Sequence, residues 1–264
     1  MRLKSIYVLI TALLVVLSVS FAHGESEEEH EQHATVWERL NLPDPINIVY
    51  ITSLISGMAI IIALMAKHGL SEKWKKLIFV IIALPIALAT IYLATTTVYL
   101  NIVSETSGPV HWHADYEIWA CGVNYELVDP TGFDNKVGSP VLHEHNDNRI
   151  HVEGVVFKLT DVKLGRFFFE VGGKFTKNLL TIPTNDGLKT WKNGETCNNA
   201  EAYWQMFVNG KKNEELNDYI LSSYSQVPPG DCIILEFDVE KDKTDKQCES
   251  YRIADEKMEK EKMK

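Results

Sequence analysis

Positive charge is scarce in this 264-residue chain: 26 Lys and Arg stand against 36 Asp and Glu, a net charge of −10. That balance excludes the clustered basic surface of a nucleic-acid-binding domain. Cysteine is scarce too. The four, at 121, 197, 232 and 248, form no Cys-x-x-Cys pair, so a zinc ribbon or a thioredoxin-type centre lacks its required spacing. No Gly-x-Ser-x-Gly elbow is present, and His143-Glu-His145 is not the His-Glu-x-x-His of a zincin helix. A cupredoxin ending is excluded because no histidine follows Cys232. Charge is missing altogether from two long stretches, and those set the architecture.

Three apolar runs crowd into the first 100 positions. Ile6–Ala22 follows Arg2 and Lys4 and ends in small residues, the pattern of a secretory signal peptide cleaved after Ala22; an uncleaved anchor helix is the alternative. Residues 23–45 form an acidic, His-containing leader, read as flexible and solvated. Ile46–Ala66 and Leu77–Leu100 carry no charge. At ~1.5 Å per residue each spans a hydrocarbon core of about 30 Å, so 46–100 reads as a transmembrane hairpin. Ser53/Gly57 and Ala83/Ala87 offer small residues for close helix packing. The link between the runs, 67–76, holds four Lys against one Glu. The positive-inside rule places it in the cytoplasm and residues 105–264 outside. A cleaved signal peptide followed by two spans gives the same orientation, a multi-pass cell-membrane protein with its C-terminal domain outside the cytoplasm. In an oxidising compartment the cysteines are expected as two disulfides, with Cys121–Cys197 and Cys232–Cys248 preferred among three pairings.

Residues 105–239 read as an α+β domain. Trp112–Ala120 alternates, with His111, His113, Asp115, Glu117 and Trp119 on a polar face and Trp112, Ala114, Tyr116, Ile118 and Ala120 on an apolar one. Further strands are expected near 123–128, 150–159, 179–183, 204–208 and 232–239. Asn209-Gly210 marks a hairpin turn. One short helix is expected over Val162–Val171, capped by Asp161 and stopped by Gly172-Gly173. The charged tail, 240–264, reads as a frayed helix or disordered.

Five of the nine histidines fall within 41 residues, as His111-x-His113, His143-x-His145 and His151-x-Glu153. Two residues apart on a strand, such side chains share a face about 6.5–7 Å apart. Imidazole with carboxylate suits a transition metal, copper or zinc foremost. One such pair is an ordinary solvated strand face; three in one small domain make His111, His113, His143, His145, His151 and Glu153 a candidate ligand set. Asp115 is either a carboxylate orienting a ligand imidazole or a surface acid. Trp112 and Trp119 read as packing.

The segments HWHADYE (111–117), HEHNDNRIHVE (143–153), LGRFF (164–168) and VNGK (208–211) resemble an uncharacterised family of secreted or membrane-anchored archaeal and bacterial proteins. The resemblance implies an extracytoplasmic His-rich β domain with no established activity. Separately, Phe207–Lys211 through Pro229–Ile234 is similar to the ending of β-grasp proteins, which concerns fold only.

Three functions follow. The first is a membrane-anchored metal-binding module for copper or zinc binding, storage or delivery. The second is a cell-surface metalloenzyme of unknown substrate, with Glu144, Asp147 and Glu153 as acid–base candidates. The third is a structural or partner-binding ectodomain without metal.

Overall fold

The computed structural model describes residues 35–66, 69–133, 135–221 and 230–262. The signal-peptide run and the first part of the leader lie outside these, as does Pro229. Residues up to Asp44 form a unit of their own. Its helix α1 (Val36–Arg39) starts from a capping box, in which the Thr35 hydroxyl accepts from the Glu38 N–H and the Glu38 carboxylate accepts from the Thr35 N–H.

The second unit begins with two helices long and apolar enough to cross a membrane, α2 (Pro45–Ala66) and α3 (Glu72–Val103). Only 11% of the residues in the apolar window of each are buried inside the molecule, unlike the core helices of a soluble fold. The two helices pack against each other. The buried positions are Ser56 and Ala59 on α2 and Ala89 and Thr96 on α3, whereas Ser53 and Ala87 face outward. Gly57 and Ala83, one from each expected pair, are half-buried. The Thr96 hydroxyl is satisfied within its helix by donating to the Tyr92 carbonyl at 2.8 Å.

α3 passes into the β domain through a short, bonded link. The Glu105 N–H donates to the Phe157 carbonyl (3.1 Å), and the Glu105 carboxylate accepts from the Leu159 N–H (2.5 Å). The Thr106 hydroxyl accepts from the Val156 N–H at 3.2 Å.

The domain is built on a mixed sheet ordered β12-β11-β13-β1-β5-β4-β3, with β2 paired to the far end of β1. Its centre is β1 (Pro109–Ala120), parallel to β13 (Asp231–Asp238) and antiparallel to β5 (Arg149–Val155). β11 (Tyr203–Val208) and β12 (Lys211–Asn213) close one side as a hairpin through Asn209-Gly210, both at positive φ. β4 (Leu142–Glu144) and β3 (Val137–Gly138) close the other. β2 (Val123–Tyr125) follows the turn at Cys121 and Gly122. A mostly antiparallel sheet with one short helix, α4 (Leu164–Glu170), on a single face makes this an α+β domain.

One face of this sheet carries the main core. Ala114, Tyr116, Ile118 and Ala120 of β1 are buried against helix α4 (Leu164–Glu170), whose Leu164, Phe167 and Phe168 are fully enclosed. Tyr116 and Phe167 meet edge to face, 5.5 Å between ring centroids. α4 begins later than Asp161 because a 3₁₀ turn, Leu159–Val162, precedes it, and the Asp161 carboxylate accepts from the Lys158 N–H instead of capping α4. A three-stranded sheet, β6 (Lys174–Thr176), β7 (Leu179–Thr184) and β8 (Gly187–Lys192), adds Phe175, Leu180 and Ile182 to the same core. The small ribbon β9 (Thr196–Cys197) and β10 (Ala200–Glu201) is tied to the end of β1 by the Cys121–Cys197 disulfide.

The second face of β1 departs from its sequence pattern. Asp115 and Glu117 are buried, where alternation predicted a solvated face. The cover is the charged tail. A second disulfide, Cys232–Cys248, fixes it to β13, and helix α5 (Glu249–Lys262) follows at once. Over the sheet, Phe207, Cys232, Ile234 and Cys248 form a second cluster with Trp119 and Tyr251 against it. Lys246 lies 4.7 Å from the centre of the Trp119 ring, and Lys241 Nζ donates to Glu236 at 3.0 Å. Charge on the tail therefore meets charge on the sheet.

A candidate metal centre on the sheet

The histidines sit on this second face, at the end of β1 nearest α3. Strand register sets them in rows. His111 of β1 is opposite Glu153 of β5, His113 is opposite His151, and Asp115 is opposite Arg149. The next strand continues the middle row, with His143 of β4 opposite His151. Directly opposed residues in a ladder point to the same face with Cβ atoms about 4.5–5.5 Å apart. Three strands thus hand the same-face positions of the three sequence pairs to one patch.

Two glycines permit the close approach. At Gly138 (φ +120°) a Cβ would strike the Leu142 carbonyl and His143 Cα, so only glycine lets β3 lie against the strand that carries His143. At Gly230 (φ +105°) a Cβ would collide with the His113 carbonyl, where β13 enters beside β1. The β4–β5 hairpin turns through Asn146 and Asn148, both left-handed, which brings Asp147 back over the row.

His111, His113 and His151 are the group of three whose ligand atoms all lie within 4.8 Å of one another. His111 Nε2 and His113 Nε2 are 3.0 Å apart, and Glu153 Oε1 is 3.0 Å from His111 Nε2 and 3.9 Å from His151 Nδ1. In a tetrahedral zinc site with bonds of ~2.0–2.1 Å, donor atoms are about 3.3 Å apart.

Hydrogen bonds fix the tautomers. A carbonyl or carboxylate can only accept, so a ring nitrogen hydrogen-bonded to it carries the proton; His111 Nε2, 3.0 Å from Glu153 Oε1, must therefore release its proton to bind an ion. His151 Nε2 faces Asp147 Oδ2 at 3.3 Å, which leaves the lone pair on Nδ1. That Nδ1 is buried and has no hydrogen-bond partner. A buried polar atom without a partner costs roughly 1–3 kcal/mol, a cost a metal bond would remove. His143 Nδ1 faces the Ser139 carbonyl at 3.1 Å and His145 Nδ1 faces the Asn135 carbonyl at 2.5 Å, so both present a lone pair at Nε2. Holding a ring by its far nitrogen is how metal-binding histidines are oriented.

Burial pushes the pKa of His113, His143 and His151 below the ordinary imidazole value. For His113 the neighbouring His151 and His111 and the Arg149 guanidinium add to burial, while Asp115 opposes it. For His143 burial is opposed by Glu153, and for His151 by Asp147. Neutral imidazole is the ligand form.

The remaining candidates fall apart from this group. His143 stacks on His151 (5.6 Å between centroids, 6° between planes), and the His145 ring is 4.8 Å from each of them, but their ligand atoms do not join the set of three. Glu144 lies between them in sequence and so points to the opposite, core face. Its carboxylate is buried, accepts from the Asn146 N–H at 2.7 Å, and is pushed up by desolvation. Asp115 neither orients an imidazole nor faces solvent. It accepts from Arg149 Nε at 2.6 Å and from the Ser250 hydroxyl of α5. Asp147 takes the orienting role instead, and the Asn-Asp-Asn turn before His151 is the signal that points to it. Trp112 packs toward the main core and Trp119 against the second cluster, as expected.

Comparison of the chain with protein-family models, curated proteins and solved structures finds no match.

Proposed function

We propose that this chain is a membrane-anchored, extracytoplasmic transition-metal-binding protein that takes copper or zinc through His111, His113, His151 and Glu153. The observation that carries the reading is the buried, unpartnered Nδ1 of His151, 3.9 Å from a Glu153 oxygen, in a group of three histidines with ligand atoms within 4.8 Å of one another. Nitrogen-rich borderline donors suit copper and zinc alike, with copper ahead on affinity order. The acidic balance of the chain favours attraction of cations. Orientation rests on the Lys-rich link 67–76 and on the two disulfides, which persist in oxidising compartments.

The family resemblance belongs to the same proposal: HWHADYE and HEHNDNRIHVE supply the three strands of the ladder. A β-grasp-like reading is supported by the parallel pair β1–β13, flanked by antiparallel neighbours, with α4 between them in sequence.

The test is metal content. Full-length protein extracted in detergent from its native membranes, without chelator, is expected to carry copper or zinc in at least equimolar amount. Protein that carries none and takes up neither ion on titration refutes the proposal and leaves an ectodomain whose histidines are incidental.

A further inference from the structure

We infer that the patch holds two metal ions bridged by Glu153, the second ion taken by His143 and His145. This rests on the metal-binding reading and extends it from one ion to a binuclear centre. The first observation is the carboxylate itself. Its two oxygens face different histidines: Oε1 is 3.0 Å from His111 Nε2, and Oε2 is 3.9 Å from His143 Nε2. A carboxylate placed between two nitrogen sets is the bridging ligand of two-metal sites, whose ions lie about 3.5–4 Å apart.

The second observation is the pair of tautomers. His143 and His145 are each held at Nδ1 by a backbone carbonyl, one from Ser139 and one from Asn135, on the segment that closes the sheet edge. Among the described residues neither Nε2 has a hydrogen-bond partner; Glu153 Oε2 faces His143 Nε2 at 3.9 Å, beyond hydrogen-bonding distance. With His143 on the Oε2 side of Glu153 and the His145 ring 4.8 Å from the His143 ring, the two are redundant for a single four-coordinate ion. His111, His113, His151 and Glu153 already complete one.

The two ions then differ. The first has three imidazoles and a carboxylate oxygen, a closed set. The second has two imidazoles and the other oxygen, with at least one coordination position left over. Two divalent ions against the single charges of Glu153 and Asp147 leave a net positive centre. The chemical class that fits the open position is therefore an anionic oxygen ligand: hydroxide, carboxylate or phosphate. An open position beside a bridging carboxylate is the arrangement of hydrolytic two-metal sites, so the centre favours the metalloenzyme among the sequence-level alternatives.

The experiment loads detergent-solubilised full-length protein with Zn(II), removes free ion by gel filtration, and measures zinc per chain. Two ions per chain are expected. His145→Ala, at a half-exposed position, and Glu153→Gln are each expected to reduce the number to one, with circular dichroism confirming that both stay folded. Cu(II)-loaded protein is expected to show the half-field paramagnetic resonance of a coupled pair, lost in His145→Ala. One ion per wild-type chain overturns this inference and leaves the metal-binding proposal standing. No ion overturns both. Two ions retained in His145→Ala also overturn it, because the second ion then sits elsewhere.

Discussion

Replacing His111 and His113 together by alanine separates the metal's contribution to stability from that of the fold. The His111 side chain is 62% exposed and His113 is half-buried near the start of β1, so neither anchors the core. Alanine there alters the metal-free stability by roughly 0.5 kcal/mol or less. A bound ion contributes much more: at free metal a hundredfold above Kd, binding to the native state alone stabilises it by ~2.7 kcal/mol. For a domain of this size one kcal/mol moves Tm by about 2–4 °C, so saturating zinc raises the wild-type Tm by about 5–10 °C. The double variant loses two of the three nitrogens in the triad; without metal it is expected to melt within about 2 °C of metal-free wild type, and zinc is expected to raise its Tm clearly less than that of wild type. Thermal melts followed by circular dichroism, with chelator and with buffered zinc, give all four numbers. If zinc raises the Tm of the double variant as much as that of wild type, the ligands have been misassigned and the argument from strand register fails.

Acid weakens the metal-free domain. His113, His143 and His151 have pKa values lowered by burial, so below the ordinary imidazole value of ~6.5 the unfolded chain takes up protons that the folded chain resists. Stability is full above that value, falls as pH drops through it, and levels off below the lowered folded values; denaturant midpoints from pH 7.5 to 5 check the sign. Cys232→Ala/Cys248→Ala opens a loop of sequence separation 16, costing about 3 kcal/mol, and is expected to make 240–262 the first site of limited proteolysis. Unchanged cleavage there would show that the tail's ion pairs suffice. For orientation, protease added to intact cells is expected to remove the C-terminal domain, and unreduced, unfolded protein to show no free thiols; a domain protected until lysis would reverse the topology.

The sequence exposed some of this and concealed the rest for physical reasons. The alternation of β1 was legible because a two-residue period over nine positions has no helical counterpart. The apolar runs were legible because they lack charge. That the polar face of β1 is covered was not legible: the cover, 240–262, is mostly charged and has no apolar periodicity that would announce a packed face. The disulfide from Cys248, the packing and hydrogen bond of Tyr251, and the pairings of Lys241, Lys246 and Ser250 seat it. Asp115 was misread for the same reason, since Arg149 reaches it only across a strand pairing that local spacing does not encode. The histidine pairs announced a shared face within each strand. Which pairs become neighbours, and which nitrogen each ring offers, depended on register and on the carbonyls of Ser139 and Asn135.

The link between α3 and β1 holds the domain close to the end of a helix long and apolar enough to cross a membrane. Ser104–Gly108 is stitched to the far end of β5 through Glu105 and Thr106, so the sheet does not swing on a tether. His111 follows Val103 by eight residues, which caps its distance from the end of the helix at about 29 Å even for a fully extended chain. With α3 in the bilayer, an ion held at the site is confined to a thin layer over the lipid. A second protein anchored in the same membrane meets it by lateral diffusion in two dimensions, at a local concentration set by surface density. A freely soluble carrier must first find the membrane. If the proposed site holds a metal, placement along one strand, as much as ligand chemistry, then biases which molecules exchange it.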